Sequence, residues 1–306
     1  MLDSAKRFVK RLLSKESAQS AELTPFGERI RERHRVLWRE DHPEMHDAEV
    51  CRNELLSRDD PLSKWHCCEL WQRKLSNKWN AREFAAKFGC RVPDLYWHGK
   101  DVTTLDVASL PSHYVARPTV GHSAGGVFVM AEGVNLMDGR AYSESDLKKR
   151  LARLVRKDAR VTILVEELLK DEEGRYGLAT DYKLLMFGRT VGAIGAIRRL
   201  SGEAVTKRYY TESWGQFDEP IIVPIAGKAR DHVVDPPLCL PDIVADAKRL
   251  GEAYEAFVRL DFYATDKGSV FGEFTPTPSL GNNFTDFASR HLLALWAEAY
   301  PEPQRI

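Results

Sequence analysis

The sequence has no excess of charge of either sign. Its 306 residues include 45 lysines and arginines against 45 aspartates and glutamates, so the formal net charge is zero. This balance argues against a nucleic-acid partner, because such proteins are usually drawn to phosphate by positive charge. No apolar run approaches the ~20 residues of a transmembrane helix, so we expect no membrane-spanning segment. Two domains, or one large domain with lobes, are typical of this length.

Cysteine is also scarce. The five cysteines are Cys51, Cys67, Cys68, Cys90 and Cys239. Their odd number and the lack of a C-x-x-C pair argue against a disulfide framework and against a structural zinc site. The N-terminus lacks the apolar segment and cleavage site of a secretory signal. We therefore expect reduced thiols and a cytoplasmic protein.

Residues 1–16 predict a basic amphipathic helix. Apolar residues recur there at three- and four-residue spacing, and lysines and arginines take the other face. Such a helix can make weak peripheral contact with anionic lipid. We favour a helix that docks on the body of the protein, because one short helix is a weak membrane anchor.

From residue 80 onward the pattern predicts an α/β arrangement. Helices are predicted at 81–88, 143–156 and 242–255. Strands are predicted at 114–116, 127–130, 161–165, 182–187, 191–197, 257–263 and 269–274.

A glycine-rich loop follows the predicted strand that ends near Arg117. Its small residues are Gly121, Ser123, Gly125 and Gly126. Glycines let backbone amides approach an anion closely, and Arg117 would add a charge-assisted contact to a phosphate. The loop is neither a Walker A motif nor a G-x-G-x-x-G fingerprint, and taken alone it also fits an ordinary hairpin connection.

Carboxylates occur at two places where apolar strands predominate. Glu166 and Glu167 end the apolar run 163–165, where a nucleotide could supply the hydrogen-bond donors that buried charges need. Taken alone, a strand end that emerges into solvent explains this pair better. Asp261 and Glu273 lie on two strands that predict a hairpin.

The predicted hairpin carries the most informative pattern. Strict alternation places Arg259, Asp261 and Tyr263 on one face of their strand, and Glu273 and Thr275 share a face of the next strand. The hairpin would bring Asp261 close to Glu273, where two carboxylates repel each other unless a cation such as Mg²⁺ lies between them. The alternative is an amphipathic hairpin with a solvated polar face.

Another predicted strand pair offers cations. Asp181 and Lys183 share a face, and Arg198 lies at the end of the neighbouring strand. Arg198 could neutralise phosphate or hold a carboxylate with its planar guanidinium. Surface ion pairs are an equally good explanation of each residue alone.

Placed in chain order, these segments resemble the ATP-grasp superfamily, and within it the TupA-like branch associated with polysaccharide and teichuronopeptide synthesis. The matching segments are 76–78, 110–111, 114–126, 165–168, 181–183, 259–263 and 271–276. The resemblance implies two α+β lobes that clasp ATP. It divides the chain into a helical N-terminal extension over 1–73, an N-terminal and central lobe with the glycine loop over 74–165, and a C-terminal lobe with the Mg²⁺ site over 166–306.

The resemblance also implies roles for individual residues. The implied nucleotide contacts are Lys78 and Arg117 on the phosphates, the loop Gly121, Ser123, Gly125 and Gly126 over the β- and γ-phosphates, Glu166 with the backbone of Glu167 and Leu168 on adenine, and Asp181 or Glu167 on ribose. Arg117 stands where the family usually has lysine. The implied Mg²⁺ ligands are Asp261 and Glu273, with Thr275 in place of the usual asparagine. Lys183, Arg198 and Arg259 are implied phosphate or substrate contacts with catalytic roles.

The implied activity is ATP-dependent formation of an amide bond between a carboxylate and an amine through an acyl phosphate. The carboxylate would belong to an amino acid, a peptide or a glycan, and the cofactors would be ATP and Mg²⁺. Three alternatives stay open: a kinase that phosphorylates a hydroxyl, a nucleotide-binding module without turnover, and a scaffold attached through residues 1–16.

Overall fold

The computed structural model describes residues 22–38, 53–121, 125–158, 160–199, 205–223, 229–230 and 233–301. The helices are α1 Pro25–Trp38, α2 Leu62–Trp65, α3 Lys78–Lys87, α4 Glu144–Lys157, α5 Leu240–Tyr254 and α6 Asp286–Ala299. No helix in these ranges is long and apolar enough to cross a membrane. The helix predicted over 1–16 and the loop residue Ser123 lie outside the described residues.

The described strands form two six-stranded sheets. They are β1 Leu95–Gly99, β2 His113–Pro118, β3 Phe128–Ala131, β4 Val134–Asn135, β5 Arg140–Ala141, β6 Ile163–Glu167, β7 Asp181–Phe187, β8 Thr190–Arg199, β9 Val205–Tyr210, β10 Ala229–Arg230, β11 Val258–Thr265 and β12 Gly268–Thr275. The first sheet has the order β1-β6-β2-β3-β4-β5, and the second has β10-β9-β8-β7-β11-β12. All pairs are antiparallel except β9 with β10. The predicted α+β fold is confirmed.

The helix starts follow from capping residues. Ser143 accepts a hydrogen bond from the Asp146 amide at 3.1 Å and caps α4 as the sequence predicts. Helix α3 begins three residues before the predicted start, because the Asn77 side chain accepts a hydrogen bond from the Trp79 amide at 3.0 Å. This cap places Lys78 at the first position of the helix.

The first sheet is covered on one face by α4. Leu147 and Leu151 of α4 pack against Ala116 and Val165 of the sheet in one buried cluster. The side chains of β2 alternate, so Arg117 points away from this cluster toward the second sheet. The apolar packing of α4 therefore fixes which face of the first sheet meets the second.

The second sheet is buried on both faces, but not along its whole length. On one face, α3 and α5 contribute Phe84 and Leu250 to a large core. On the other face, α1 and α6 cover only one end, where Phe26 and Leu292 pack around Phe257. Each fully buried Leu or Phe contributes about 1.5–3 kcal/mol to stability. Beyond Phe257 the same face carries polar side chains.

A β-bulge in β12 decides which of its side chains enter the core. Asp261 pairs with Glu273, whereas the next residue of β11 pairs with Phe271, so Gly272 is an extra residue in β12. Phe271 and Phe274 both join the core on the α5 side. Without the bulge, alternation would place Phe271 on the same face as Glu273.

Two glycines allow the start of α1 to approach the 3₁₀ turn that follows β12. We expect Gly27→Ala to destabilise the protein by about 1–3 kcal/mol, because the added methyl would lie 2.4 Å from the Gly281 carbonyl oxygen. Urea denaturation measures this loss. Gly177→Ala is the control, since its added methyl meets nothing within 4 Å. Equal midpoints for the two variants would contradict the packing described.

Candidate functional site

The polar end of the second sheet brings together most of the predicted metal and phosphate residues. Asp261 of β11 lies opposite Glu273 of β12 on one side and opposite Lys183 of β7 on the other. The predicted proximity of Asp261 and Glu273 is therefore confirmed. We call Lys183, Arg259, Asp261, Glu273 and Thr275 the Asp261 cluster.

Asp261 is a buried carboxylate held by two cations. It is 3% exposed, and Arg259 donates to both of its oxygens, from Nε at 2.6 Å and from Nη2 at 2.8 Å. Lys183 Nζ also donates to Oδ2. Burial alone would raise the pKa of Asp261, but Arg259 and Lys183 outweigh burial and hold this pKa below its usual range. The carboxylate therefore stays ionised.

Arg259 also joins the other two oxygen donors of the cluster. Its Nη2 donates to Thr275 Oγ1 at 2.9 Å and to Glu273 Oε1 at 3.3 Å. The Thr275 hydroxyl in turn donates to Glu273 Oε1 at 3.2 Å. Glu273 keeps 39% of its side chain exposed, so it faces an open space rather than a core.

The donor set fits Mg²⁺, although it is small. Mg²⁺ is commonly held by one or two carboxylates together with substrate phosphates and water. Asp261 and Glu273 supply two carboxylates, and Arg259 donates a hydrogen bond to each of them. Within the described ranges, no group of three or more His, Cys, Asp or Glu side chains could hold a metal ion.

Lys183 links this cluster to the start of β7. Its ammonium lies 3.5 Å from Asp181 Oδ2, and both side chains are largely buried. Asp181 and Lys183 thus share a face, as the sequence predicts.

Arg198 is not brought to the cluster. It lies one residue beyond Ile197, which pairs with Asp181, so alternation turns Arg198 to the opposite face of the sheet. There its charge lies near the Tyr182 hydroxyl. The sequence placed Arg198 at the strand end but did not fix the face.

Lys207 of β9 was missed by the sequence analysis and lies on the face of the Asp261 cluster. It pairs with Ile197, which pairs with Asp181. Tyr209 lies two residues further, and its ring covers Gly195, where an added Cβ would come within 2.9 Å of the ring. The β-branched and aromatic residues among 205–210 were the available signal of a strand.

The first sheet contributes a second charged group, the Glu166 clamp, formed by Arg82, Arg117 and Glu166. Arg82 Nη1 donates to Glu166 Oε1 at 2.6 Å, and Arg117 Nε donates to Oε2 at 2.7 Å. The Glu166 side chain is only 2% exposed. Both of its oxygens are therefore held by arginines, and Arg82 of α3 is a residue that the sequence analysis missed.

Arg117 connects the two sheets electrostatically. Burial alone would lower the pKa of its guanidinium, but Glu166 outweighs burial and raises it. Tyr263 and Glu273 of the second sheet raise this pKa as well. The clamp and the Asp261 cluster therefore face the same space between the sheets.

Lys78 stands at the start of the glycine loop. Its backbone N–H donates to the Thr119 carbonyl at 2.8 Å, and its Nζ donates to the Gly121 carbonyl at 3.1 Å. Gly121 and Gly126 have φ values of +139° and +78°, which favour glycine. The structure places Lys78 and both ends of the predicted loop together.

Glu167 connects the first sheet to the turn between β11 and β12. Lys267 Nζ in that turn donates to Glu167 Oε1 at 2.6 Å and to Asp94 Oδ2 at 3.2 Å. A cavity of about 500 Å³ lies beside these residues. Leu168, which follows Glu167, is buried.

A family model described as TupA-like ATPgrasp matches residues 63–294, which is more than half of the chain. No curated protein sequence matches significantly.

Three solved structures resemble the chain in shape. The D-alanine–D-alanine ligase from Helicobacter pylori has a TM-score of 0.45 and 16% identity, over 74% of this chain and 61% of that chain. The Bacillus anthracis D-alanine–D-alanine ligase complexed with ATP has a TM-score of 0.47 and 14% identity, over 74% and 67%. The ATP-grasp ligase PsnB complexed with a minimal precursor has a TM-score of 0.40 and 12% identity, over 72% and 60%. This chain thus spans less than two thirds of the Helicobacter pylori ligase. The sequence match over 63–294 identifies the family independently of these shapes: the chain belongs to the TupA-like ATP-grasp family.

Proposed function

We propose that the space between the two sheets binds ATP and that the protein joins a carboxylate to an amine with hydrolysis of ATP to ADP and phosphate. The observation that carries this proposal is the Asp261 cluster, in which carboxylates and cations face the Glu166 clamp across one space. Phosphoryl transfer depends on such preorganised charges more than on a side-chain nucleophile.

The first sheet and α3 would hold the nucleotide. We assign Lys78 and Arg117 to the phosphates, and the loop Gly121, Ser123, Gly125 and Gly126 to the cover over the β- and γ-phosphates. Glu166 would act mainly through Arg117, since both of its oxygens accept from arginines. Arg117 bonds to Glu166 through Nε, which leaves its two terminal nitrogens for the nucleotide.

The base and ribose contacts would come from the end of β6. The Glu167 amide already donates to the Asp94 carbonyl at 2.8 Å. We therefore assign the adenine edge to the Glu167 carbonyl and the Leu168 backbone. Asp181 or the Glu167 carboxylate would accept from the ribose hydroxyls.

The second sheet would hold Mg²⁺ and the reacting groups. Asp261 and Glu273 would be the Mg²⁺ ligands, with the Thr275 hydroxyl beside them, and the bound ion would neutralise charge on the β- and γ-phosphate oxygens. Arg259 and Lys183 would stabilise the transferred phosphoryl group. Arg198, on the opposite face of the sheet, is left out of this set.

The reaction has two steps. The substrate carboxylate attacks the γ-phosphorus of ATP, which forms an acyl phosphate and releases ADP. The amine then attacks the acyl carbon, phosphate leaves, and the amine loses a proton. Closure of the glycine loop would exclude water from the acyl phosphate. The carboxylate substrate is an amino acid, a peptide or a glycan.

We expect Glu273→Gln to lower ADP formation at least ~100-fold, because the variant loses a carboxylate ligand of the Mg²⁺ that would neutralise the transferred phosphate. ADP release is measured with Mg²⁺ over pairs of carboxylates and amines, and hydroxylamine traps the acyl phosphate. Asp261→Asn is expected to lose activity too, but it leaves two cations without their counter-ion and therefore also costs stability.

The control for Glu273→Gln is Glu252→Gln, whose exposed carboxylate pairs with Arg189 on the far side of α5. This control is expected to keep full activity. ADP release without any trapped hydroxamate, together with phosphate on a hydroxyl, would instead identify a kinase. Full activity in folded Glu273→Gln would refute the assigned site.

We expect Arg82→Met to weaken binding of a non-hydrolysable ATP analogue about 10-fold. The variant removes one of the two hydrogen bonds that hold Glu166, so Glu166 would no longer position Arg117. A hydrogen bond to a charged group is worth about 1.5–3 kcal/mol. Isothermal titration calorimetry measures this affinity. Arg58→Met is the matched control, since it breaks the bond to Glu83 on the same helix at 2.9 Å. If both variants lose the same stability and neither loses affinity, the clamp is purely structural.

A further inference from the structure

Lys207 is a partly exposed cation whose charge the proposed reaction does not use. Among the described residues it has no ion-pair or hydrogen-bond partner, and its Nζ lies 5.3 Å from the centre of the Tyr209 ring. Burial, with the like charges of Arg259 and Lys183, lowers the pKa of Lys207 to about 8. A cation that faces the site without a carboxylate partner can bind an anion supplied by a ligand.

The surrounding cations show why Lys207 differs from them. Lys183 and Arg259 share the carboxylate of Asp261, and Lys183 also lies beside Asp181. These carboxylates compensate the charges of Lys183 and Arg259, whereas Lys207 has only the face of an aromatic ring. A cation–π contact is weaker than a charge-assisted hydrogen bond, and it leaves the ammonium able to accept an anion.

The position of Lys207 separates it from the phosphate site. Strand β9 lies three positions from β11 in the second sheet, and neighbouring strands are about 4.8 Å apart. Lys207 is in register with Tyr263, two residues along β11 from Asp261, so the backbones of Lys207 and Asp261 are roughly 16 Å apart. The long side chain extends over the same face toward Arg259 and Lys183. A substrate that reacts at the Asp261 cluster would therefore reach Lys207 with its other end.

We propose that Lys207 binds a second anionic group of the carboxylate substrate, so that the substrate is a dicarboxylate or carries a carboxylate remote from the reacting one. This inference rests on the proposed ligase function. The reacting carboxylate would lie near Lys183 and Arg259, and the remote carboxylate would accept from the Lys207 ammonium. Tyr209, which lies over Gly195, would form the floor between them.

The test is calorimetric binding of linear dicarboxylates from malonate to adipate to the full-length protein with Mg²⁺ and a non-hydrolysable ATP analogue. Each diacid is compared with the monoacid of the same length. We expect wild-type protein to prefer diacids and to show an optimum chain length. Lys207→Gln is expected to weaken diacid binding at least 10-fold and to leave the monoacids and the ATP analogue unchanged.

The control variant is Lys248→Gln, which removes another lysine of the second lobe that pairs with Glu212. A second measurement does not depend on affinity for a chosen diacid. At pH 8 an acylating reagent should label Lys207 faster than Lys248, and the best diacid should slow labelling of Lys207 alone.

Several outcomes would overturn the inference. Equal binding of diacids by wild type and Lys207→Gln would show that Lys207 does not bind a second anionic group of the substrate. The absence of a preference for diacids in wild type would show the same. A loss of affinity for the ATP analogue in Lys207→Gln would place Lys207 on the nucleotide. Failure of wild type to bind the ATP analogue at all would instead refute the proposed function.

Discussion

A carboxylate buried in a sheet must be balanced by positive charge, and the pairing of Asp261 with Arg259 and Lys183 meets this requirement. The same pairing determines how the site is built. The two cations hold Asp261 ionised, and Arg259 extends the charge to Glu273 and Thr275. Oxygen donors and cations thus occupy one patch of three neighbouring strands.

Helix α3 connects this patch to the end of the site where we propose that the nucleotide binds. Its apolar side, with Phe84, belongs to the core of the second sheet, whereas Arg82 reaches Glu166 of the first sheet. Lys78 at its first turn meets the loop after β2. One short helix therefore contacts both the first sheet and the core of the second sheet.

Much of this could be predicted from the sequence, because alternation in strands fixes faces. The pattern around Asp261 and Glu273 was sufficient to place them opposite each other, although the bulge at Gly272 could not be foreseen. Arg198 was assigned to the site because a strand end alone does not reveal the face. Arg82 and Lys207 were missed for different reasons: the partner of Arg82 lies 84 positions away, and β9 was not among the predicted strands.

The bond between Lys267 and Glu167 has a mechanical consequence. Lys267 lies in the turn between β11 and β12, the strands that carry Asp261 and Glu273. The bond attaches this turn to Glu167 at the end of β6, beside the proposed adenine edge. The Lys267 side chain is 40% exposed, so dissolved salt screens this bond far more than it screens the buried pairs around Asp261. Ionic strength thus acts on the bond between the two sheets at this edge while leaving the buried charges around Asp261 in place.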